Sequence, residues 1–263
     1  MKLFQNDKYL YEKRTGEQIV QVLQRNDRRE LRFGNHITQS AISLDAPDLL
    51  QLEYTRAMMS AFLLAPRATN IFHIGLGAGS LARFIHRHFP GSRQWIVELS
   101  PEVIEVAYRY FDLPDSPRLR VVVDEGARFL RNCRESFHLI FLDAFLANGA
   151  SRHLESAQFF GSARDRLAPG GWLVNNVWGS DRENLNAVKI NLAGVFNRLY
   201  SLSVRADSNV IFFAGNTGDP PSMASLKSLA EQFSGSMPLD LAGFAAELTR
   251  VPTTLAGRPR VVG

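Results

Sequence analysis

The chain has 263 residues, 45% of them hydrophobic, enough for one generous domain or a core domain with a small appendage. No apolar run approaches the roughly 18–20 residues of a membrane span, no apolar stretch follows Met1, and the lone Cys133 leaves no internal disulfide, so the sequence predicts a cytoplasmic protein with no membrane partner. The formal charge of +4 comes mainly from scattered arginines such as Arg25, Arg28, Arg83 and Arg87, which read as solvated faces and predict no nucleic-acid partner.

The first 45 residues read as short strands over Lys8–Glu12, Gln18–Gln24, Glu30–Phe33 and Ile37–Leu44. Thr15-Gly16, Asn26-Asp27 and Gly34-Asn35 separate them with the side chains of tight turns, which predicts a small antiparallel sheet. Pro47 closes it, and a helix is expected over Asp48–Leu64 with Asp48 as N-cap. From Asn70 the pattern becomes strand–helix alternation. Apolar strands at Ile71–Ile74, Gln94–Val97, Leu119–Val123, Leu139–Leu142 and Trp172–Asn175 alternate with helical stretches. That is the pattern of a parallel sheet covered on both faces. A helix over Arg182–Leu199 then precedes two close strands, Ser201–Arg205 and Asn209–Phe213, turning at Asp207-Ser208. A closing antiparallel hairpin fits a methyltransferase-type, Rossmann-like sheet of seven strands better than a fully parallel dinucleotide fold. Past Pro220-Pro221 two further helices are expected, about Ser222–Phe233 and Leu239–Leu248. The expected division is residues 1–46, an antiparallel β-domain; 47–216, a nucleoside-binding α/β domain; and 217–263, a helical extension.

The most informative stretch runs from Ile71 to Ser80, where an apolar strand enters the turn Gly75-Leu76-Gly77-Ala78-Gly79 and a helix starts at once. Glycines suit such a turn because the backbone must bend sharply and let a ligand touch it. Glu98 ends the next strand, 19 residues past Gly79, where a carboxylate can accept both ribose hydroxyls. Asp124 and Glu125 follow the third strand. Asp124 there either accepts from an adenine amino group, or caps the next helix, or does both. Asp143 stands at the end of the strand Leu139–Leu142, where it can deprotonate an amine or hold a substrate cation. The six histidines do not pair at ligand spacing, and no metal is expected.

In order, these residues resemble the spermidine synthase (polyamine aminopropyltransferase) family over roughly Tyr9 to Phe213. Gly16-Glu-Gln18-Ile, Leu31 to Ser40 with Gln39, Glu53-Tyr54, the glycine turn and the segment Asp143 to Phe160 all fall at family positions. The resemblance implies a transferase that moves an aminopropyl group from decarboxylated S-adenosylmethionine, or uses S-adenosylmethionine itself, toward an amine or other nucleophilic acceptor, and that forms a homodimer. It also implies Gln18, Gln39, Gly75, Gly77, Gly79, Glu98, Asp124 and Glu125 as nucleoside-binding residues and Asp143 as the catalytic acid–base group. Several family positions depart from the pattern, among them Thr55 and Arg56, which stand where the family has His and Glu. Ala78, Leu146 and Ala147 stand where the family has Asp, Asp and Pro, and Glu125 replaces the Asp that meets adenine. The acceptor site is therefore expected to be altered. Asn175, Asn176 and Trp178 are expected near its mouth, and putrescine, a dication, is expected to be a poor substrate. Two other readings share the fold: a methyltransferase, and a non-catalytic nucleoside-binding protein, against which the retained Asp143 argues.

Overall fold

The structure, a computed structural model, describes residues 8–15, 18–34, 38–146, 149–150, 152–204, 208–216 and 222–253. Gly16, Asn35 and Asp207, expected in turns, lie outside them. Of the expected turns, Asn26-Asp27 is described, with Asn26 at φ +54°, a conformation that asparagine tolerates better than most residues.

Strands β1 (Lys8–Thr15), β2 (Gln18–Arg25), β3 (Arg28–Arg32) and β4 (Thr38–Ser43) form an antiparallel sheet in simple meander order. One face carries Val20, Val22, Leu31 and Ile42, which pack against Val103, Val106 and Phe111 of the main domain. The N-terminal sheet thus sits against the larger domain through a shared apolar cluster rather than joining its sheet.

The expected helix over Asp48–Leu64 is broken. Residues 44–49 make bends and a turn, and two short helices follow, α1 (Glu53–Met58) and α2 (Ala61–Leu64). Asp48 does not cap either one: Leu52 holds the N-cap position, and the Asp48 carboxylate faces Arg87 at 3.7 Å. Met58, Met59, Ala61, Phe62 and Leu63 around the break are all completely buried in the core.

The main domain continues with β5 (Asn70–Ile74), α3 (Ser80–His88), β6 (Arg93–Glu98), α4 (Pro101–Tyr110), β7 (Leu119–Val123), α5 (Gly126–Asn132) and β8 (Phe137–Leu142). After a two-residue ladder, β9 (Phe145–Leu146) with β10 (Gly149–Ala150), and a 3-10 turn at Arg152–Glu155, come α6 (Ala157–Asp165), β11 (Leu167–Trp178), α7 (Arg182–Val195), β12 (Arg198–Val204) and β13 (Asn209–Gly215). The sheet order is β12-β13-β11-β8-β5-β6-β7, with β13 antiparallel to both neighbours and β11, β8, β5, β6 and β7 mutually parallel. These are the seven strands and closing hairpin expected from the sequence. An eighth strand was not: beyond α8 (Met223–Ser234) and α9 (Leu241–Glu247), the two residues of β14 (Thr249–Arg250) pair with the β12 edge. No periodicity can announce a strand of two residues.

Alternation along the strands explains the two apolar layers. Leu139 and Phe141 of β8 face the layer of α1, α2, α3, α8 and α9, whereas Ile140 and Leu142 face α5, α6 and α7. Between β5 and β8 the order of strands switches direction, and their carboxyl ends diverge there into a crevice.

Candidate active site

A cleft opens at that switch point, beneath Phe33, Gln39 and Ser40 of the N-terminal sheet. On its floor the chain leaves β5 through the glycine turn. Gly75 and Gly77 line the cleft with φ of +93° and +54°, in the left-handed region where a side chain is strained. At Gly77 an added Cβ would stand 2.7 Å from the Ser40 hydroxyl, which itself accepts from the Ala78 N–H at 3.2 Å. Turn and N-terminal sheet are therefore in direct contact. Gly79 is the N-cap of α3 and packs beside Leu113, outside the cleft lining.

Glu98, at the end of β6, lines the cleft half-buried. Its carboxylate accepts from the Leu76 and Ser100 N–H groups, each at 3.0 Å. Burial raises its pKa, and the backbone N–H groups of Ser100 and Leu76 oppose that shift. A vicinal diol in the cleft would meet this carboxylate, which also holds the glycine turn in place.

Asp124 and Glu125 both line the cleft, but the cap assigned to Asp124 belongs to Glu125. The Glu125 carboxylate accepts from the N–H groups of Ala127 and Arg128 at 2.9 and 2.8 Å, and Asp124 pairs with the Arg128 guanidinium. Glu125 is itself the N-cap residue, so its carboxylate faces the free N–H groups two and three residues further on. Glu125 also meets His153 Nε2 at 3.1 Å, a cleft-lining histidine that the sequence did not single out. Burial raises the Glu125 pKa, but the Ala127 and Arg128 N–H groups and His153 outweigh it, so the net shift is downward.

Asp143 follows β8 directly, with its N–H bonded to the Ile74 carbonyl across the switch point at 3.0 Å. Its carboxylate accepts from Asn176 Nδ2 at 2.8 Å and from the Tyr54 hydroxyl at 3.3 Å. Burial pushes its pKa up to about 6, despite those two donors. That value places a proton acceptor near neutrality, where general-base chemistry is efficient. Behind Asp143 a small polar cavity is lined by Tyr54, Thr55, Ser80 and His73. His73 is bonded to Gln94 at 2.9 Å, and burial lowers its pKa to about 4, so it is neutral.

Gln39 lines the cleft with a buried Nε2 that has no partner among the described residues, a donor that a ligand acceptor would satisfy. Gln18 opens β2, and its side chain is outside the described residues, as are Ala147 and the Leu146 side chain. Ala78 does not line the cleft; it is fully buried with Val20, Val22 and Val103. Of the three residues expected near the mouth, only Asn176 touches Asp143. Asn175 alternates to the opposite face and is buried, and Trp178 stands at the end of β11, paired in the ladder with Asn209. Besides His153, the cleft-lining residues that sequence reasoning did not place in the site include Tyr54, Leu99, Ser100 and Leu154, and behind Asn176 stands Asn209. Tyr54 was visible only as part of a motif, Leu99 follows Glu98 with 58% exposure at the cleft, and nothing local marks Asn209.

The fold is the methyltransferase-type, Rossmann-like sheet. The profile described as the spermine/spermidine synthase domain matches residues 52–204. A polyamine aminopropyltransferase of Neisseria meningitidis is 30% identical over 240 residues, covering 89% of this chain and 91% of the relative. Among solved structures, a probable spermidine synthase from Corynebacterium glutamicum aligns with a TM-score of 0.72 at 23% identity, over 84% of this chain and 86% of the other. Human methyltransferase-like protein 13, solved in complex with SAH, aligns with a TM-score of 0.66 at 23% identity, over 70% and 92%. The chain belongs to the spermine/spermidine synthase family, whose members similar to it are named as transferases.

Proposed function

We propose that the protein transfers an aminopropyl group from decarboxylated S-adenosylmethionine to an amine. In this reading Glu98 accepts from the ribose hydroxyls, and Asp124, Glu125, Gln18 and Gln39 surround the nucleoside. The neutral amine attacks the carbon beside the sulfonium. The carbon–sulfur bond breaks with its electron pair going to sulfur, methylthioadenosine leaves, and Asp143 takes the proton of the new ammonium.

The observation that carries this reading is the sign of the lining. Asp143 stands at the acceptor end, and no arginine or lysine lines either the cleft or the cavity behind it among the described residues. A donor ending in a bare ammonium suits such walls. A donor ending in a carboxylate would be desolvated with no cation to meet it. A second reading, methyl transfer from S-adenosylmethionine, draws support from the fold shared with methyltransferase-like protein 13 over 92% of that chain. We further propose three units, 1–46, 47–216 and 217–263, assembled as a cytoplasmic homodimer.

Calorimetric titration with S-adenosylmethionine, its decarboxylated form and methylthioadenosine, side by side, tests the donor. Tighter binding of the decarboxylated form than of its parent is expected. The reverse order would favour methyl transfer.

A further inference from the structure

We infer that Asn209 is a positioning residue for the reaction, acting on Asp143 through the side-chain amide of Asn176. The inference rests on the proposed role of Asp143. It begins from a chain of three side chains, buried Asn209 and Asn176 on the adjacent strands β13 and β11 and half-buried Asp143 at the end of β8: Asn209 Nδ2 donates to Asn176 Oδ1 at 2.7 Å, and Asn176 Nδ2 donates to Asp143 Oδ1 at 2.8 Å.

The direction of the chain follows from chemistry. An ionised carboxylate can only accept, so Asn176 must turn its NH₂ toward Asp143. Its oxygen then faces away, and a buried amide oxygen needs a donor. Asn209, only 4% exposed at the start of β13, supplies it. An amide can flip by half a turn at little cost when both ends are equivalent. The Asn209 donor makes them inequivalent, because a flipped Asn176 would set NH₂ against NH₂ at one end and oxygen against carboxylate at the other.

The consequence for Asp143 depends on its surroundings. The titratable groups around it are Tyr54 from α1 and neutral His73 from β5, and across the cleft Glu98, Asp124, Glu125 and His153. None of these supplies a fixed positive charge beside it, and no lysine or arginine lines the site among the described residues. The ionised form is therefore held by two neutral donors, the Tyr54 hydroxyl and the Asn176 amide. Asn176 makes the shorter of the two bonds. Losing its orientation would move the proton affinity of Asp143 upward.

The test is the pH dependence of kcat/KM for amine alkylation in wild type, Asn209→Ala, Asn176→Leu and Asp143→Asn. Titration of the acceptor amine is common to all and cancels in ratios to wild type. Asn209→Ala is expected to move the acid limb upward by about one pH unit, the size set by one charge-assisted hydrogen bond. That makes it about fivefold slower than wild type near pH 6, approaching tenfold at pH 5, and nearly equal near pH 9, with unchanged methylthioadenosine affinity. Asn176→Leu should give the same shift, and the double variant no more. A wild-type limb in Asn209→Ala, with Asp143→Asn inactive, would overturn the inference and leave the reading of Asp143 standing. Full activity in Asp143→Asn would instead overturn that reading. Should Asn209→Ala not fold, Asn209→Asp, of the same size, places an acceptor against Asn176 and must shift the limb at least as far, or the inference is wrong.

Discussion

Gly75 lies directly beneath the backbone carbonyl of Asp143, so close that a Cβ on the glycine would overlap that oxygen. The turn that would receive the nucleoside and the acid that would act on the acceptor are thus parts of one packed junction between β5 and β8. Asp143 N–H to Ile74 carbonyl is its hydrogen bond.

Gly75→Ala should accordingly fail on two counts, a positive φ and an overlap with backbone that cannot swing aside. A stability loss of about 2 kcal/mol or more is expected, with Asp143 displaced. Thermal melting checks it, with Gly161→Ala, on α6 with open space around its Cβ position, as a control expected to stay near wild type.

Glu98→Ala should lower methylthioadenosine affinity at least about tenfold, since charge-assisted hydrogen bonds are worth about 1.5–3 kcal/mol each. The structure adds a second effect, because the same carboxylate holds the Leu76 N–H of the glycine turn. Glu98→Gln keeps an acceptor for that N–H but adds a donor toward the ribose, and should fall between. Calorimetry that finds the alanine variant binding like wild type would remove the ribose assignment.

The pH profile has a definite sign. Asp143 must be ionised to accept a proton, and burial places its pKa at about 6. Wild-type kcat/KM should therefore fall with decreasing pH through that value. The same shift affects stability in the opposite sense. Folded Asp143 holds its proton more tightly than the unfolded chain does, so its contribution to stability is present below the ordinary aspartate pKa of about 3.9 and is lost as pH rises through about 6. The stability difference between wild type and Asp143→Asn should shift against wild type over that window, which melts at pH 4 and pH 7 would measure.

Putrescine should be a poor acceptor. Among the described lining acids, Glu98, Asp124 and Glu125 are engaged with backbone N–H groups, Arg128 or His153, which leaves Asp143 for a cation. A second ammonium without a partner costs several kcal/mol. Turnover below about 1 per second is expected, under the usual enzyme range, with smaller or less charged amines faster. Ala78→Asp should not restore polyamine use. Its side chain would enter the apolar cluster of Val20, Val22 and Val103, so the measurable result is a loss of stability.

Much of this site was legible in the sequence because its parts are local. A strand entering a glycine turn, an acid closing the next strand and an acid following the fourth are each read from one strand and the residues beside it. Gly75, Gly77, Glu98, Asp124, Glu125, Gln39 and Asp143 accordingly meet in one cleft. What stayed hidden depends on direction and long-range pairing. Asn175 and Asn176 are adjacent in sequence, yet strand alternation sends only one of them to Asp143. Asn209 meets Asn176 across 33 residues, from the adjacent strand β13. Ala78 occupies an acid's place in the motif, but its side chain turns into the N-terminal sheet, whose position no motif specifies. The helix expected to start at Asp48 starts instead after Leu52 and is interrupted between Met58 and Ala61, while the Asp48 carboxylate turns toward Arg87.

Product analysis of a competition tests the central claim most directly. Wild type and Asp143→Asn would be incubated with equal concentrations of S-adenosylmethionine and its decarboxylated form, together with a panel of small amines, and the nucleoside products separated. Methylthioadenosine should accumulate with an aminopropylated amine, and the Asp143→Asn variant should form neither. Accumulation of S-adenosylhomocysteine with a methylated acceptor instead would contradict the account and make the protein a methyltransferase.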